Sequence, residues 1–325
     1  MAEMTVNDTN KDLPNDSPHR ARTSSLFGWI KVMKKNRKAQ VGFIIFVGFI
    51  LVGILAPVIA RYSPTATNFP PLEPPNAQHW FGTTGLGQDV YAQFVWGTRS
   101  SLIVGFGASA ISTLFAVVIG MYPAYWGGYL DRVMATFTNV FIVIPGLPLM
   151  IVAAAYVHDS STLTMMVIIG LTGWAGRARV LRAQILTLRN REFVWAARLT
   201  GASDRRILVH EILPNMLSLF MASLMYGILG AILAEAGLEF LGLGNLTGVS
   251  WGSMLYWANN GGALLNGAWW WLLPGGLGIA MFGTSLALMN FALDEVTNPR
   301  LRQMSTLSRD RIVRAWHALR GESFQ

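Results

Sequence analysis

Residues Leu188–Asn215 read LRNREFVWAARLTGASDRRILVHEILPN. No other charged stretch between two long apolar segments runs as far. Arg189, Arg191, Arg198, Arg205 and Arg206 stand there against Glu192, Asp204 and Glu211. Phe193, Ala196, Ala197 and Thr200 recur at i, i+3, i+4 and i+7, which predicts a short helix over 192–200 with those residues on one face. Gly201 stands where a C′ glycine ends a helix. Ser203 or Asp204 is placed to cap a second helix. Pro214 suits the first turn of the apolar helix that follows, where its missing N–H costs nothing. The stretch reads as a helix–Gly–helix elbow, too polar to span a bilayer and tethered at both ends to segments that do. Its plainest interpretation is a solvated basic loop between two membrane helices, in keeping with the cytoplasmic bias of Lys and Arg.

Composition agrees with that setting. Of 325 residues, 52% are hydrophobic and 13% charged, against about a quarter charged in soluble domains. This is the balance of a polytopic membrane protein. The chain has no cysteine, which excludes disulfides, cysteine zinc sites and thiol nucleophiles. A net charge of +8 invites a nucleic-acid reading. The basic residues instead fall between apolar spans, without an aromatic–basic recognition module.

Along the chain, 1–30 is polar and is expected to be a disordered cytoplasmic tail. Lys31, Lys34, Lys35, Arg37 and Lys38 follow, too deep for a signal peptide and without an A-x-A-type site. Uncharged runs then place spans at about 41–60, 100–122, 133–157, 161–182, 212–234 and 269–293, the first long enough for ~30 Å of hydrocarbon. Pro145 and Pro148 predict a kink in the third. Arg177, at the inner end of the fourth, is expected to snorkel to the cytoplasmic interface. Gly105, Ser109 and Thr113, and likewise Gly227 and Ala231, put small residues four apart for close helix contact. Glu235 and Glu239 read as hydrated acids at a helix end, with a cation-ligand pair as the sharper alternative. Lys and Arg number eight in 1–40, one at Arg132, eight in 177–211 and six from 300 onward, leaving Arg61 and Arg99 outside. Six spans with both termini cytoplasmic satisfy that bias. The fold class expected is an all-α polytopic membrane protein.

The pattern Ala196-Ala197-x3-Gly201, then Leu213-Pro214, resembles the EAA loop of binding-protein-dependent ABC importer permeases, E-A-A-x3-G-x9-I-x-L-P. The string from Arg191 to Ile207, closing on Ile212-Leu213-Pro214-Asn215, is similar to the dipeptide/oligopeptide branch. Trp195 replaces the pattern's Glu and Glu211 its first Ile, so no role of that Glu carries over. Three further segments keep the same order. His79–Leu102, HWFGTTGLGQDVYAQFVWGTRSSL, resembles a branch segment, with Thr84, Gln88 and Gln93 as departures. Glu235–Gly244 with Trp251-Gly-x-Met254, and Asp294–Arg302 with Asn298 for the second Asp, resemble two others.

The resemblance implies one transmembrane subunit, over 31–302, of an ATP-driven ABC importer, with a basic cytoplasmic tail over 303–325. It implies a second, homologous permease subunit, two ATPase subunits and an external substrate-binding protein, with ATP and magnesium on the ATPases and no cofactor on this chain. It makes the elbow a cytoplasmic coupling helix. Glu192, Ala196, Ala197, Arg198, Gly201, Asp204, Leu213 and Pro214 are its candidate ATPase-coupling residues. Ala197 is expected on the face turned to the ATPase. Peptides are the branch's usual cargo, and oligosaccharide importers use similar permeases. The sequence names no substrate-contacting residue and no metal site. It lacks a G-x4-G-K-[ST] phosphate loop and the H-E-x-x-H and G-x-S-x-G motifs, so no catalysis is expected of this chain. No span interior shows a clear acid, which argues against a proton-coupled carrier. A stand-alone channel or secondary carrier, and a membrane-embedded enzyme lacking any evident polar cluster, are the rival readings.

Overall fold

The computed structural model of the chain describes residues 36–157 and 161–297, with side chains through Phe291. The tails expected over 1–30 and 303–325, and Asn298, lie outside the described residues. Among the described residues the regular structure is helical.

Helix α1 is Arg37–Ile59, capped by Asn36, whose side chain accepts from the Lys38 N–H at 2.9 Å. An irregular segment leads to α2, Val90–Phe115. Its cap Asp89 accepts from the Ala92 N–H at 2.7 Å and pairs with His79 Nδ1 at 2.8 Å. The helix thus starts ten residues before the uncharged run at 100, because its first turns bury Val90, Ala92, Val95 and Thr98 against other parts of the protein while Arg99 stays exposed. It continues through a π-helical segment, Ala116–Met121, into α3, Tyr122–Trp126, giving 37 helical residues in all. Gly127 and Gly128, at φ +74° and +73°, make the turn expected there.

Helices α4, Gly128–Val143, and α5, Gly146–Tyr156, meet at 85° across Ile144-Pro145. The expected proline kink is thus a full break, since Pro145 supplies no N–H to carry the ladder on. Helices α6, Thr162–Thr172, and α7, Ala175–Leu188, likewise divide the run 161–182 at Gly173-Trp174. The elbow follows. Then come α11, Leu217–Phe240, α12, Trp251–Asn260, and α13, Trp269–Thr297. Among the described residues four helices are long and apolar enough to cross a membrane, five with the bent pair α4–α5 counted as one span.

Helix α2 is the axis of the fold, packed by α1, α6, α11, α12 and α13. Gly105 lets it meet α11, where an added Cβ would stand 2.6 Å from Ile232 Cγ1. One core, around Phe49, Trp251 and Phe282, joins α1, α2, α11, α12 and α13. The rings of Phe49 and Trp251 lie 5.6 Å apart. A second core joins the π segment, α3, α7 and the elbow.

Candidate functional site

The elbow is built from four pieces: α8, Glu192–Leu199; α9, Asp204–Arg206; a π-helical segment, Ile207–Ile212; and α10, Leu213–Asn215. Helix α8 ends in a Schellman motif. The Ala202 N–H bonds to Ala197 O and the Gly201 N–H to Arg198 O, both at 3.0 Å. Gly201 sits at φ +77°, where a Cβ is disfavoured. Of the two candidate caps, Ser203 is the one used, accepting from the Arg206 N–H at 3.4 Å. Pro214 lies in α10, and the non-helical Met216 separates α10 from α11. The helix beyond the elbow therefore begins at Leu217 rather than in the run opening at 212.

The elbow is clamped to the helices above it. Val194, Ile207, Leu208, Ile212 and Met216 are buried together with Tyr125 and Ile185. Tyr125 Oη donates to Asp204 Oδ1 at 2.8 Å. The Arg198 guanidinium lies 6.0 Å from the Tyr125 ring centroid and 5.2 Å from that of Trp195. Arg189 donates from Nη1 to Ala124 O at 2.7 Å. Beside them Arg182 holds Asp131 by two bonds, 2.7 and 2.9 Å, a planar fork-to-carboxylate match. Gly120 of the π segment lies against α7 so closely that a Cβ would stand 2.7 Å from Ala178 Cα.

These anchors decide which face of α8 is free. Phe193, Val194, Ala197 and Arg198 turn inward, while Glu192, Trp195, Ala196 and Leu199 form an outward stripe. Ala196 and Thr200 are thus exposed, apart from the Phe193 and Ala197 side with which their spacing groups them. Ala197 packs toward the second core, not outward as expected from sequence. Trp195 is 53% exposed and Leu199 87%. Two large apolar side chains stand in the open on a segment otherwise rich in charge. Spacing did not reveal them, because α8 is apolar on nearly every side and its orientation is set by Tyr125, a residue about 70 positions away.

Arg177 also departs from expectation. Its guanidinium turns inward, onto α2. Its Nη1 donates to Ser109 O at 3.2 Å and Thr113 Oγ1 at 3.0 Å, with Gly227 of α11 close beside it. The small residues at 109, 113 and 227 make room for this guanidinium as well as for helix contact.

A family model described as "Binding-protein-dependent transport system inner membrane component" matches residues 116–303, which contain the whole elbow. The chain belongs to this family. A second model, the N-terminal TM domain of oligopeptide transport permease C, matches residues 28–75. Among relatives, the oligopeptide transport system permease protein OppC of Bacillus subtilis is 34% identical over 83% of this chain and 88% of its own. The dipeptide transport system permease protein DppC of Alkalihalophilus pseudofirmus is 31% identical over 89% and 95%. DppC of Bacillus subtilis is 33% identical over 83% and 84%. As a family member with several apolar helices, the chain is a multi-pass inner-membrane protein.

Proposed function

We propose that this chain is the permease subunit of an ATP-driven, binding-protein-dependent importer of peptides, and that the elbow couples it to a cytoplasmic ATPase. The family assignment and the oligopeptide and dipeptide names of its relatives support the class of transporter and of cargo. One structural observation carries the coupling role: Trp195 and Leu199 protrude from an elbow that is otherwise pinned to the membrane helices. Exposed apolar patches on a rigid frame mark contact surfaces.

Six crossings account for the architecture when α4–α5 and α6–α7 each count as one broken span, with both termini on the elbow side. The domain limits are those of the sequence, 31–302 for the membrane unit. The partners are a homologous permease, two ATPase subunits carrying ATP and magnesium, and an external binding protein. Glu192 and Ala196 join Trp195 and Leu199 on the docking stripe. Ala197 lets α8 lie close against the membrane core, and Gly201 sets the turn. Arg198 and Asp204 fix the elbow through Tyr125. Leu213-Pro214 hands it on to α11. Closure of the ATPases displaces the elbow, the spans switch access, and the peptide passes inward after hydrolysis.

The test is reconstitution of the four membrane-associated subunits in liposomes with the binding protein outside. Peptide uptake that requires ATP within and binding protein without is the expected result. Uptake by this chain alone, or ATP hydrolysis by it that survives removal of contaminating ATPases, overturns the reading.

A further inference from the structure

At the end of α11 away from the elbow, Glu235 and Glu239 stand one turn apart, each 2% exposed. They are not hydrated helix-end acids. The chain turns back at Gly242, φ +81°, and lays the start of α12 over them. Gly252 of α12 lies so near α11 that a Cβ would stand 2.6 Å from Ala236 Cα. Gly97 of α2 would meet the Ser250 backbone at 3.1 Å. Three helices meet around the pair.

Hydroxyls face the two acids. Ser101 Oγ of α2 accepts from the Trp251 N–H at 3.2 Å and stands beside Glu235. Ser250 Oγ donates to Glu239 Oε2 and accepts from the Ser253 backbone amide at 3.0 Å. Glu235 Oε2 is buried with no partner among the described residues. The ion pairs among those residues are His79–Asp89 and Arg182–Asp131, so neither acid has a counter-ion. The helices packed on α11 bring little charge: Tyr91 and Arg99 on α2, Tyr256 on α12, Tyr156 on α5, none on α6 or α10, and none on α13 before Asp294. Arg99, two residues before Ser101 and so on another face, is exposed, with its guanidinium 5.6 Å from the Trp96 ring centroid. Tyr156 is exposed, and the Tyr256 ring lies along Gly242.

Two ionised carboxylates side by side, out of water and without a cation, repel each other and forfeit their hydration. No third acid, histidine or cysteine joins them to make a metal site among the described residues. The cation that fits is the smallest. We propose that Glu235 and Glu239 bind one proton between them, and that this proton latches α2, α11 and α12 together at the outer mouth of the permease. Glu239, which holds the Ser250 hydroxyl as a donor, is the carboxylate. Glu235, with the orphaned oxygen, is the acid. Protonation turns Oε2 into a donor one turn from Glu239. Parting the three helices hydrates both acids and lets the proton leave, so opening of the mouth is tied to proton release. The tie to transport rests on the importer reading, whereas occupancy by the proton does not.

The test uses the assembled complex in lipid nanodiscs, with isotope-labelled glutamate in this chain alone. Wild type, Glu235→Gln and Glu239→Gln are titrated from neutral to alkaline pH. Infrared difference spectra read the carboxylic-acid C=O band, and binding-protein-stimulated hydrolysis is followed alongside. Wild type is expected to show the band at neutral pH and to lose band and stimulation together as pH rises. Glu235→Gln is expected to lack the band and to keep stimulation flat over the same range. The band needs no turnover, so an inactive complex still reports on the proton, as does wild type should a variant fail to assemble. Absence of the band in wild type at neutral pH overturns the proposal. So does a band that survives in both variants, or a requirement for sodium or calcium at constant pH, which would make the occupant a metal ion.

Discussion

Leu199→Ala separates docking from folding. The side chain is 87% exposed at the end of α8, so its loss removes almost no contact within the chain. Exposed substitutions of this kind stay within about 0.5 kcal/mol of neutral, and alanine suits a helix at least as well as leucine. If the ATPase covers the side chain, three buried carbons are lost at about 0.8 kcal/mol each, roughly 2.4 kcal/mol. That is a weakening of about 50-fold in the dissociation constant. The assay titrates purified ATPase onto the permease pair in nanodiscs and measures the apparent dissociation constant, with the thermal midpoint of the pair as the folding control. Leu241→Ala is the surface control, since Leu241 is also exposed but lies at the opposite end of α11. A shift below about twofold for Leu199→Ala, or an equal shift for Leu241→Ala, would refute the assignment of this face.

Three further outcomes follow from the same elbow. Ser203→Cys, in a chain without native cysteine, is expected to react with a membrane-impermeant thiol reagent only after the cytoplasmic side is opened; labelling from outside intact cells reverses the topology. Gly201→Val forces a β-branched residue to φ +77° at a cost of about 1–2 kcal/mol or more. It is expected to leave membrane insertion intact and abolish ATPase co-purification, while Gly201→Asn retains it. Ala197→Asp sets a carboxylate against the second core and Ala196→Asp sets one in the open. The first is expected to lower the thermal midpoint of the permease pair and the second only to weaken ATPase binding; equal midpoints would contradict the orientation of α8.

Local chemistry was readable in the chain, and tertiary orientation was not. Gly201 and Ser203 do what their residue types and spacing announce, because a Schellman turn and a hydroxyl cap are decided within a few residues. Pro145 announces a break for the same reason. The free face of α8 depends on Tyr125, and no periodicity within 192–200 encodes that. Uncharged runs measure hydrocarbon thickness rather than helix length, so they miss the start of α2 at Val90, which has Arg99 within its early turns. They also count Glu235 and Glu239 as helix-end residues, although the return of the chain into α12 encloses them. The partners of Arg177, Ser109 and Thr113, were not legible because they sit on α2, more than 60 residues upstream.

The unbroken path Val90–Trp126 has a mechanical consequence. At about 1.5 Å per residue the whole path extends some 55 Å, of which about 36 Å separates Ser101, beside Glu235, from Tyr125, bonded to Asp204. Helix α11, by contrast, meets the elbow through the non-helical Met216, so no continuous helix joins the two. A force applied to the elbow therefore loads α2 as a strut before it bends α11. The π segment at Ala116–Met121, seated on α7 through Gly120, interrupts the regular α-helical bonding along that strut. Stiffness along α2, rather than proximity in sequence, sets how strongly the two ends of the molecule feel each other.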